Sequence, residues 1–168
     1  MREAGEWGSL GAGRGGVGGV WLGAMGILEE IESGHSVFET EMAVRPDDID
    51  MNRHVHNSRY LDYVLAARFD QMKRCYGVAM EDFLERGFSW FVKTAHVEHK
   101  RPLHLGDGIV VRTRMRTIGR REVTVDFEIV NRETERVSAE GWFAYLFVDA
   151  ETGKPRTIPD DIREAYSV

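Results

Sequence analysis

The sequence has few cysteines, no long apolar run and no excess of positive charge. It contains one cysteine in 168 residues, which excludes an internal disulfide framework and a cysteine-rich zinc site and is typical of a reducing compartment. No uncharged apolar run approaches the roughly 20 residues that span a bilayer. Basic residues number 22 against 28 acidic ones, which disfavours a nucleic-acid binder. We therefore expect a cytoplasmic protein with no membrane span and no nucleic-acid partner.

Glycine is unevenly distributed along the chain. Ten of the 18 glycines precede Ile27, and glycine carries a large backbone entropy while offering no side chain to pack. This composition predicts a flexible N-terminal extension over residues 1–36, with one helical turn at Ile27–Glu32, and a single domain over residues 37–168. A secretion signal at Val17–Leu28 is disfavoured, because glycines interrupt it and acidic residues precede it.

Beyond the extension, apolar residues follow helix and strand periods. A strand is predicted at Phe38–Val44. A helix is predicted over residues 58–76, with Asn57 as its N-cap and Gly77 just past its end. A second, short helix is expected at Met80–Arg86. The long helix carries one apolar stripe at three- and four-residue steps, formed by Leu61, Val64, Leu65, Phe69, Met72 and Tyr76.

Four strand-like runs follow the short helix. Arg121–Val130 alternates strictly, with apolar residues on one side and Glu122, Thr124, Asp126 and Glu128 on the other. Gly119-Arg120 predicts a two-residue turn with glycine first. The order of one strand, a long helix and four strands joined mostly by tight turns predicts an α+β fold, in which an antiparallel sheet wraps around one long helix.

Polar chemistry is concentrated between the first strand and the long helix. In an extended segment, residues two apart share a side, so Asp50, Asn52, His54 and His56 would project together. A fully extended chain would hold Asp50 and His54 about 13 Å apart, so the segment must curl if these groups act together. It leads into a helix N-terminus, whose unpaired N–H groups suit a developing oxyanion. This combination suits hydrolysis of an activated acyl group.

The same segment resembles the signature of the hotdog-fold thioesterases, the broad family of 4-hydroxybenzoyl-CoA and acyl-CoA thioesterases. That signature runs approximately D-x-D-x-x-G-H-V-N-N-x-x-Y-L, and it is matched in register by Asp48, Asp50, His54, Val55, Asn57, Tyr60 and Leu61. The form D-x-N-x-H-V-x-N is most similar to the plant-type acyl-carrier-protein thioesterases. The resemblance implies the hotdog fold, a five-stranded antiparallel sheet around the long helix, with active sites at the interface of a dimer.

The resemblance also implies roles for individual residues. Asp50 matches the catalytic carboxylate, acting as nucleophile or as general base, while Asn52 and His54 match residues that position water or polarise the thioester carbonyl. The substrate-binding residues are expected to be Asn57, Ser58, Arg59 and Tyr60, with backbone amides near residues 57–59 binding the oxyanion. Arg53 stands where the family usually has glycine, and Pro102-Leu103 stands where the acyl-carrier-protein branch has a further Glu or Cys.

Each of these residues also has a structural interpretation. Asp48 is predicted to remain structural, and Asn57 is equally well explained as a helix cap. His54 and His56 lack a third ligand at a useful spacing, so we expect no metal. Cys75 is predicted to be a packing residue rather than a nucleophile.

A run of arginines adds a second candidate binding surface. Arg112, Arg114 and Arg116 alternate and therefore share one sheet face. They are either a solvated outer face paired with Glu122, Asp126 or Glu128 on a neighbouring strand, or a binding patch for the phosphates of coenzyme A or for an acidic carrier protein. On the second interpretation, Arg112 and Arg114 are candidate substrate-binding residues.

The favoured function is hydrolysis of an acyl-CoA or acyl-carrier-protein thioester to free acid and thiol. The alternatives are a non-catalytic acyl-thioester-binding module and an enoyl-thioester hydratase, whose D-x-N-P-x-H pattern this chain does not match. No cofactor is expected beyond the coenzyme A or phosphopantetheine of the substrate. The expected partners are a second copy of the chain, as a homodimer or homotetramer, and an acyl carrier protein.

Overall fold

The computed structural model describes residues 27–30 and 34–168, and of Glu29 and Glu30 it describes the backbone only. The strands are β1 (Val37–Ala43), β2 (Phe88–His99), β3 (Gly108–Ile118), β4 (Glu122–Asn131) and β5 (Arg136–Asp149). The helices are α1 (Ile27–Glu30), α2 (Arg59–Arg74), α3 (Met80–Glu85) and α4 (Asp160–Ala165), and a 3₁₀ turn spans Pro46–Asp48.

The five strands form one antiparallel sheet in the order β1-β3-β4-β5-β2. The edges of the sheet are therefore β1 and β2. Helix α2 lies against one face and buries the apolar residues of the central strands, among them Val125, Phe127 and Ile129. The predicted α+β hotdog fold, with an antiparallel five-stranded sheet around one long helix, is confirmed.

One glycine is required by the sheet itself. A Cβ atom at Gly141 would lie 1.9 Å from the carbonyl oxygen of His96 on the neighbouring strand. That separation is far inside van der Waals contact, so no other residue fits without moving the backbone. The close approach of β2 to β5 is thus encoded at this position.

The long helix begins one residue later than predicted, and Gly77 follows its end as predicted. The N-cap is Ser58, which makes no side-chain capping hydrogen bond, so the assignment of Asn57 as the N-cap is wrong. At the other end, Gly77 adopts a positive φ of 69°, a conformation that glycine reaches at little cost. The predicted stop beyond the helix is therefore confirmed.

One local prediction fails elsewhere, and one helix was not predicted. The connection after Ile118 contains three residues rather than two, is closed by a 2.8 Å hydrogen bond from Gly119 N to Glu122 O, and has no positive φ at Gly119. Helix α4 was not predicted, because its six residues are too few to show a helical period.

The outer face of the sheet, opposite α2, is covered by the start of the described chain. Helix α1 packs on β4, and the amide of Leu28 donates to Glu128 Oε1 at 2.8 Å. Asp126 and Glu128 are consequently buried, although their alternation suggested a solvated face. The backbone amide of Ser36 donates to the carbonyl of Val168 at 3.0 Å. The predicted flexibility of residues 1–26 and 31–33 lies outside the described residues.

Among the described residues, no helix is long and apolar enough to cross a membrane.

Candidate active site

The segment between the 3₁₀ turn and α2 forms a tight loop. Ile49 and Val55 pair as an isolated antiparallel bridge, the amide of Asp50 donates to the carbonyl of His54 at 3.0 Å, and the amide of Arg53 donates back to the carbonyl of Asp50 at 3.0 Å. Val55 is buried and its amide donates to Leu103 O at 2.8 Å. The loop therefore curls, which brings Asp50 and His54 closer together than an extended chain would.

The curl brings the three predicted catalytic residues together. Asp50 Oδ1 accepts a 2.7 Å hydrogen bond from the amide of Asn52 and lies 4.0 Å from His54 Nδ1. Asp50 Oδ2 has only a long contact, 3.5 Å, with the Asn52 side-chain amide. The side chain is 20% exposed, so the carboxylate is held at one oxygen and is still partly accessible.

Arg53 occupies the strained position of the loop. Its φ is 65°, a left-handed conformation that is costly for a residue with a Cβ atom. The usual glycine of the family would adopt it without this cost. The departure from the family pattern thus changes the backbone strain of the loop, while the loop still closes.

Asp48 fixes the loop to the long helix. Its Oδ2 accepts hydrogen bonds from Tyr63 Oη at 2.6 Å and Arg45 Nε at 2.8 Å, and Arg59 Nε lies 3.5 Å from Oδ1. Burial opposes ionisation of this carboxyl, but the hydrogen bonds from Arg45 and Tyr63 and the nearby positive charges outweigh it and lower its pKa. Burial and the bond to Asp48 raise the pKa of Tyr63 to about 12. Asp48 has the structural position predicted for it.

The amides at the start of α2 are only partly available to a substrate. The amide of Arg59 donates to His56 O at 2.9 Å, and the amide of Ser58 donates to His56 Nδ1 at 3.3 Å. Within the described residues, the amide of Asn57 has no acceptor. The Arg59 guanidinium pairs with Asp48 and, at 3.0 Å, with Asp62. Of the predicted oxyanion donors, only Asn57 N is unoccupied.

An open cleft of about 590 Å³ joins these groups to the end of β2. Tyr60 forms part of its wall, packing edge-on against the His99 ring with centroids 4.7 Å apart and accepting a hydrogen bond from Leu103 N at 3.2 Å. Burial raises the pKa of Tyr60. The lining also includes Asp50, Asn52, His54, Val55, His56, Asn57, His99, Lys100, Arg101 and Pro102.

Residues 99–101 are not among the predicted site residues, and Pro102 stands where the acyl-carrier-protein branch has a further Glu or Cys. They lie more than 40 positions beyond the loop, and the Val55–Leu103 hydrogen bond and the Tyr60–His99 ring contact bring them to it. The available signal was the run HVEHKRPLHLGD, whose family-like pattern extends the resemblance to this strand. Lys100 also forms an ion pair with Glu140, and Arg101 Nη1 donates to Val137 O at 2.8 Å. The cleft therefore has two basic side chains on one wall.

The other predicted arginines lie elsewhere. Arg112 Nε pairs with Glu39 Oε1 at 2.8 Å. Arg114 is buried on the outer face, where Nη1 donates to Leu28 O at 2.9 Å and Nη2 lies 3.4 Å from Asp126. Neither lines the cleft. Their substrate-binding role stays a prediction, and their observed partners are those of a structural ion-pair layer.

Comparison with known proteins agrees with this geometry. Residues 44–166 match the model of the thioesterase-like superfamily. The chain is 21% identical over 126 residues to the long-chain acyl-CoA thioesterase FadM of Escherichia coli K12, covering 75% of this chain and 94% of that protein. Among solved structures, a DHNA-CoA thioesterase from Staphylococcus aureus superposes with a TM-score of 0.73 at 22% identity, covering 78% of this chain and 89% of that one.

A hypothetical protein from Thermus thermophilus superposes with a TM-score of 0.72 at 27% identity, covering 79% of this chain and 96% of that one. These structures share the fold, and the family model spans most of the sheet and the helices around it. This protein therefore belongs to the thioesterase-like superfamily and is a thioester hydrolase.

Proposed function

We propose that the protein hydrolyses acyl-CoA thioesters at the cleft, with Asp50 as the catalytic carboxylate. The observation that carries this proposal is the partly accessible carboxylate of Asp50 in a cleft that also contains His54 and the unoccupied amide of Asn57. The choice of acyl-CoA is supported by the printed activities of two similar proteins, a long-chain acyl-CoA thioesterase and a DHNA-CoA thioesterase.

In the proposed reaction, Asp50 acts first on the thioester carbonyl. Its Oδ2 either accepts a proton from water, whose oxygen adds to the carbonyl carbon, or adds to that carbon itself, expels the thiolate and forms an anhydride that water then hydrolyses. The negative charge on the carbonyl oxygen is stabilised by Asn57 N–H, with His54 beside it. In both routes the carbon–sulfur bond breaks, and the thiolate leaves.

The leaving group explains why no strong acid is needed. A thiol has a pKa of about 8.5, so its thiolate departs near neutral pH with little protonation. Asn52 then has a positioning role, because its backbone amide donates to Asp50 Oδ1 at 2.7 Å and its side-chain amide lies 3.5 Å from Oδ2. Asp50, Asn52 and His54 are therefore the residues to which we assign this chemistry.

The basic wall of the cleft supports coenzyme A as the carrier. Lys100 and Arg101 are the basic residues that line it, and guanidinium and ammonium groups bind phosphate oxygens well. An acyl-carrier-protein substrate remains a second proposal, as does a cytoplasmic location.

A homodimer is proposed through the β2 edge. This strand has 12 residues and one hydrogen-bonded neighbour, β5. It exposes apolar side chains, with Phe91 60% and Val92 38% accessible. A long edge strand with exposed apolar residues is a template for pairing with another chain. A homotetramer is the predicted alternative, and sedimentation velocity distinguishes the two.

The catalytic proposal is tested by thiol release from a panel of acyl-CoAs. Asp50→Asn should lower kcat/KM by roughly 10²- to 10⁴-fold, the usual contribution of a positioned base. The matched control is Asp47→Asn, which neutralises an exposed carboxylate three residues away and should leave the rate unchanged. Equal rates for Asp50→Asn and wild type would remove Asp50 from its role. Binding without turnover would favour a binding module, and water addition to an enoyl-CoA would favour a hydratase.

A further inference from the structure

A second cavity lies between α2 and the sheet. It has a volume of about 100 Å³ and is lined mainly by apolar and aromatic side chains, among them Leu65, Phe69, Met72, Trp90 and Val92. Because Phe69 and Val92 are both exposed, the cavity opens toward solvent beside the β2 edge. Its lining is what an acyl group requires, with one exception.

The exception is Arg68. Its residue is only 6% exposed, yet it also lines the cavity. Its hydrogen bond is a long one, 3.4 Å from Nη1 to Thr113 Oγ1, and its guanidinium carbon lies 5.3 Å from the centre of the Tyr76 ring. Within residues 27–30 and 34–168, no carboxylate lies within 4.0 Å of it. A buried charge without a counter-charge is unfavourable.

The second polar group of the cavity is the Tyr145 hydroxyl. The hydroxyl of Tyr145 is buried and has no hydrogen-bond partner among the described residues, and Tyr145 lines the same cavity as Arg68. Burial raises the pKa of Tyr145 to about 12, although the Arg68 charge acts against this. The hydroxyl therefore keeps its proton near neutral pH. Arg68 and Tyr145 together offer hydrogen-bond donors to an acceptor that the protein itself does not supply.

The position of the cavity relates it to the catalytic cleft of a second copy. Within one chain the two are separated, since Val92 and His99 are seven residues apart on β2, about 23 Å at strand rise. Antiparallel pairing of two β2 strands about their midpoint sets the Phe88 end of one beside the His99 end of the other. The cavity of one protomer then lies next to the cleft of its partner.

We propose that the acyl group of the substrate ends in a carboxylate, which Arg68 binds with the help of the Tyr145 hydroxyl. This inference rests on the proposed thioesterase function and on the β2 dimer. A carboxylate supplies the missing counter-charge and matches the planar fork of the guanidinium with two parallel hydrogen bonds. A plain alkyl end would leave the Arg68 charge buried and unpaired, so the cavity discriminates against it.

The inference is tested with matched pairs of acyl-CoAs that differ only in the terminal group. Adipoyl-CoA and hexanoyl-CoA form one pair, and glutaryl-CoA and valeryl-CoA another. Wild type should prefer the carboxylate member by roughly 10- to 100-fold in kcat/KM, the usual range for a charge-assisted hydrogen bond. Arg68→Met should abolish the preference, Arg68→Lys should retain part of it, and Tyr145→Phe should weaken it several-fold. Arg132→Met, at an exposed arginine paired with Glu41, is the matched control and should keep the preference.

A binding measurement separates this inference from the proposed function. Adipate titrated into the wild-type dimer and followed by calorimetry should bind, and its affinity should fall roughly 10- to 100-fold in Arg68→Met but not in Arg132→Met. Active enzyme with no preference for carboxylate-terminated substrates would overturn the inference and leave the proposed function intact. Adipate binding that depends on Arg68 in a protein without thiol release would support the inference and contradict the proposed function. Equal adipate binding by wild type and Arg68→Met would overturn the inference.

Discussion

The two faces of the sheet treat buried arginine in opposite ways. On the outer face, Arg114 is 4% exposed and lies 3.4 Å from Asp126, which also pairs with Arg116. On the inner face, Arg68 is equally buried and has a hydroxyl and an aromatic ring as its described neighbours. The outer face thus carries an ion-pair layer in which Arg114 and Arg116 both face the carboxylate of Asp126. The inner face holds a charge that the fold alone does not explain, which is expected where a ligand completes the site.

The largest loss of stability should come from removing the carboxylate of the outer-face ion pairs. Asp126→Asn leaves buried Arg114 and half-buried Arg116 without their shared counter-charge, so we expect the free energy of unfolding to fall by about 3–5 kcal/mol. Urea denaturation monitored by circular dichroism measures it, with Glu122→Gln at the exposed end of the same strand face as control. A loss below 1 kcal/mol would mean that the layer contributes little.

An intermediate effect is expected at the ion pair beneath the loop. Asp48→Asn should lower the free energy of unfolding at pH 7 by about 1–3 kcal/mol, because Tyr63 and Arg45 lose a charged acceptor. The pKa of Asp48 is lowered in the folded protein, so its contribution is complete above the unfolded pKa of about 3.9. That contribution is lost as the pH falls through the folded pKa.

Denaturation of both proteins between pH 7 and pH 2 measures this dependence. The stability difference between wild type and Asp48→Asn should shrink only in the acid range. A constant difference across the range would show that ionisation of Asp48 does not stabilise the loop.

A smaller effect of opposite sign should follow at Arg68. Arg68→Met replaces an unpaired buried charge by an apolar side chain of similar length, so we expect an unchanged or higher free energy of unfolding, by about 1 kcal/mol. Thermal unfolding without ligand measures it. A loss of stability as large as that of Asp126→Asn would show that the two arginines are equivalent and would remove the contrast between the faces.

The smallest effect is expected in the backbone of the loop. Arg53→Gly relieves a left-handed conformation but adds freedom to the unfolded chain, so a net gain of about 0.5 kcal/mol is predicted. Chemical denaturation measures the gain, with Arg132→Gly outside the loop as comparison. A loss of stability would show that the Arg53 side chain makes a favourable interaction that outweighs the strain.

Much of the architecture follows from the sequence, because strong periods mark it. The strict alternation of Arg121–Val130 and the apolar stripe of α2 predict the sheet, the helix and their facing sides. The curl of residues 50–54 follows from chain length and the motif. The helix start shifted by one residue, because Asn57 and Ser58 are both good cap residues and local propensity does not choose between them.

The remaining features depend on contacts between distant positions. Asp126 and Glu128 alternate like solvated residues, and only the packing of α1 on β4 buries them. Lys100 and Arg101 reach the cleft because the loop and the start of α2 pack on the end of β2, through the contacts of Val55 with Leu103 and of Tyr60 with His99. Arg68 sits between Ala67 and Phe69 on an amphipathic helix, where an arginine is expected to point outward. Its spacing from Leu65 and Met72 nevertheless places it in the apolar stripe of α2, so the helical period indicated the inward position that its charge disfavours.

The amide of Ile27 donates to Glu140 Oε2 at 3.2 Å, and Glu140 pairs with Lys100 on the cleft wall. Three residues thus link the outer layer to the place where phosphates would bind. A shortened protein that starts at Val37 would lose the hydrogen bond from Ile27 to Glu140. The Glu140 carboxylate could then reorient, together with the Lys100 side chain that it pairs with. Trimming the chain at that point for crystallisation would therefore alter substrate affinity as well as solubility.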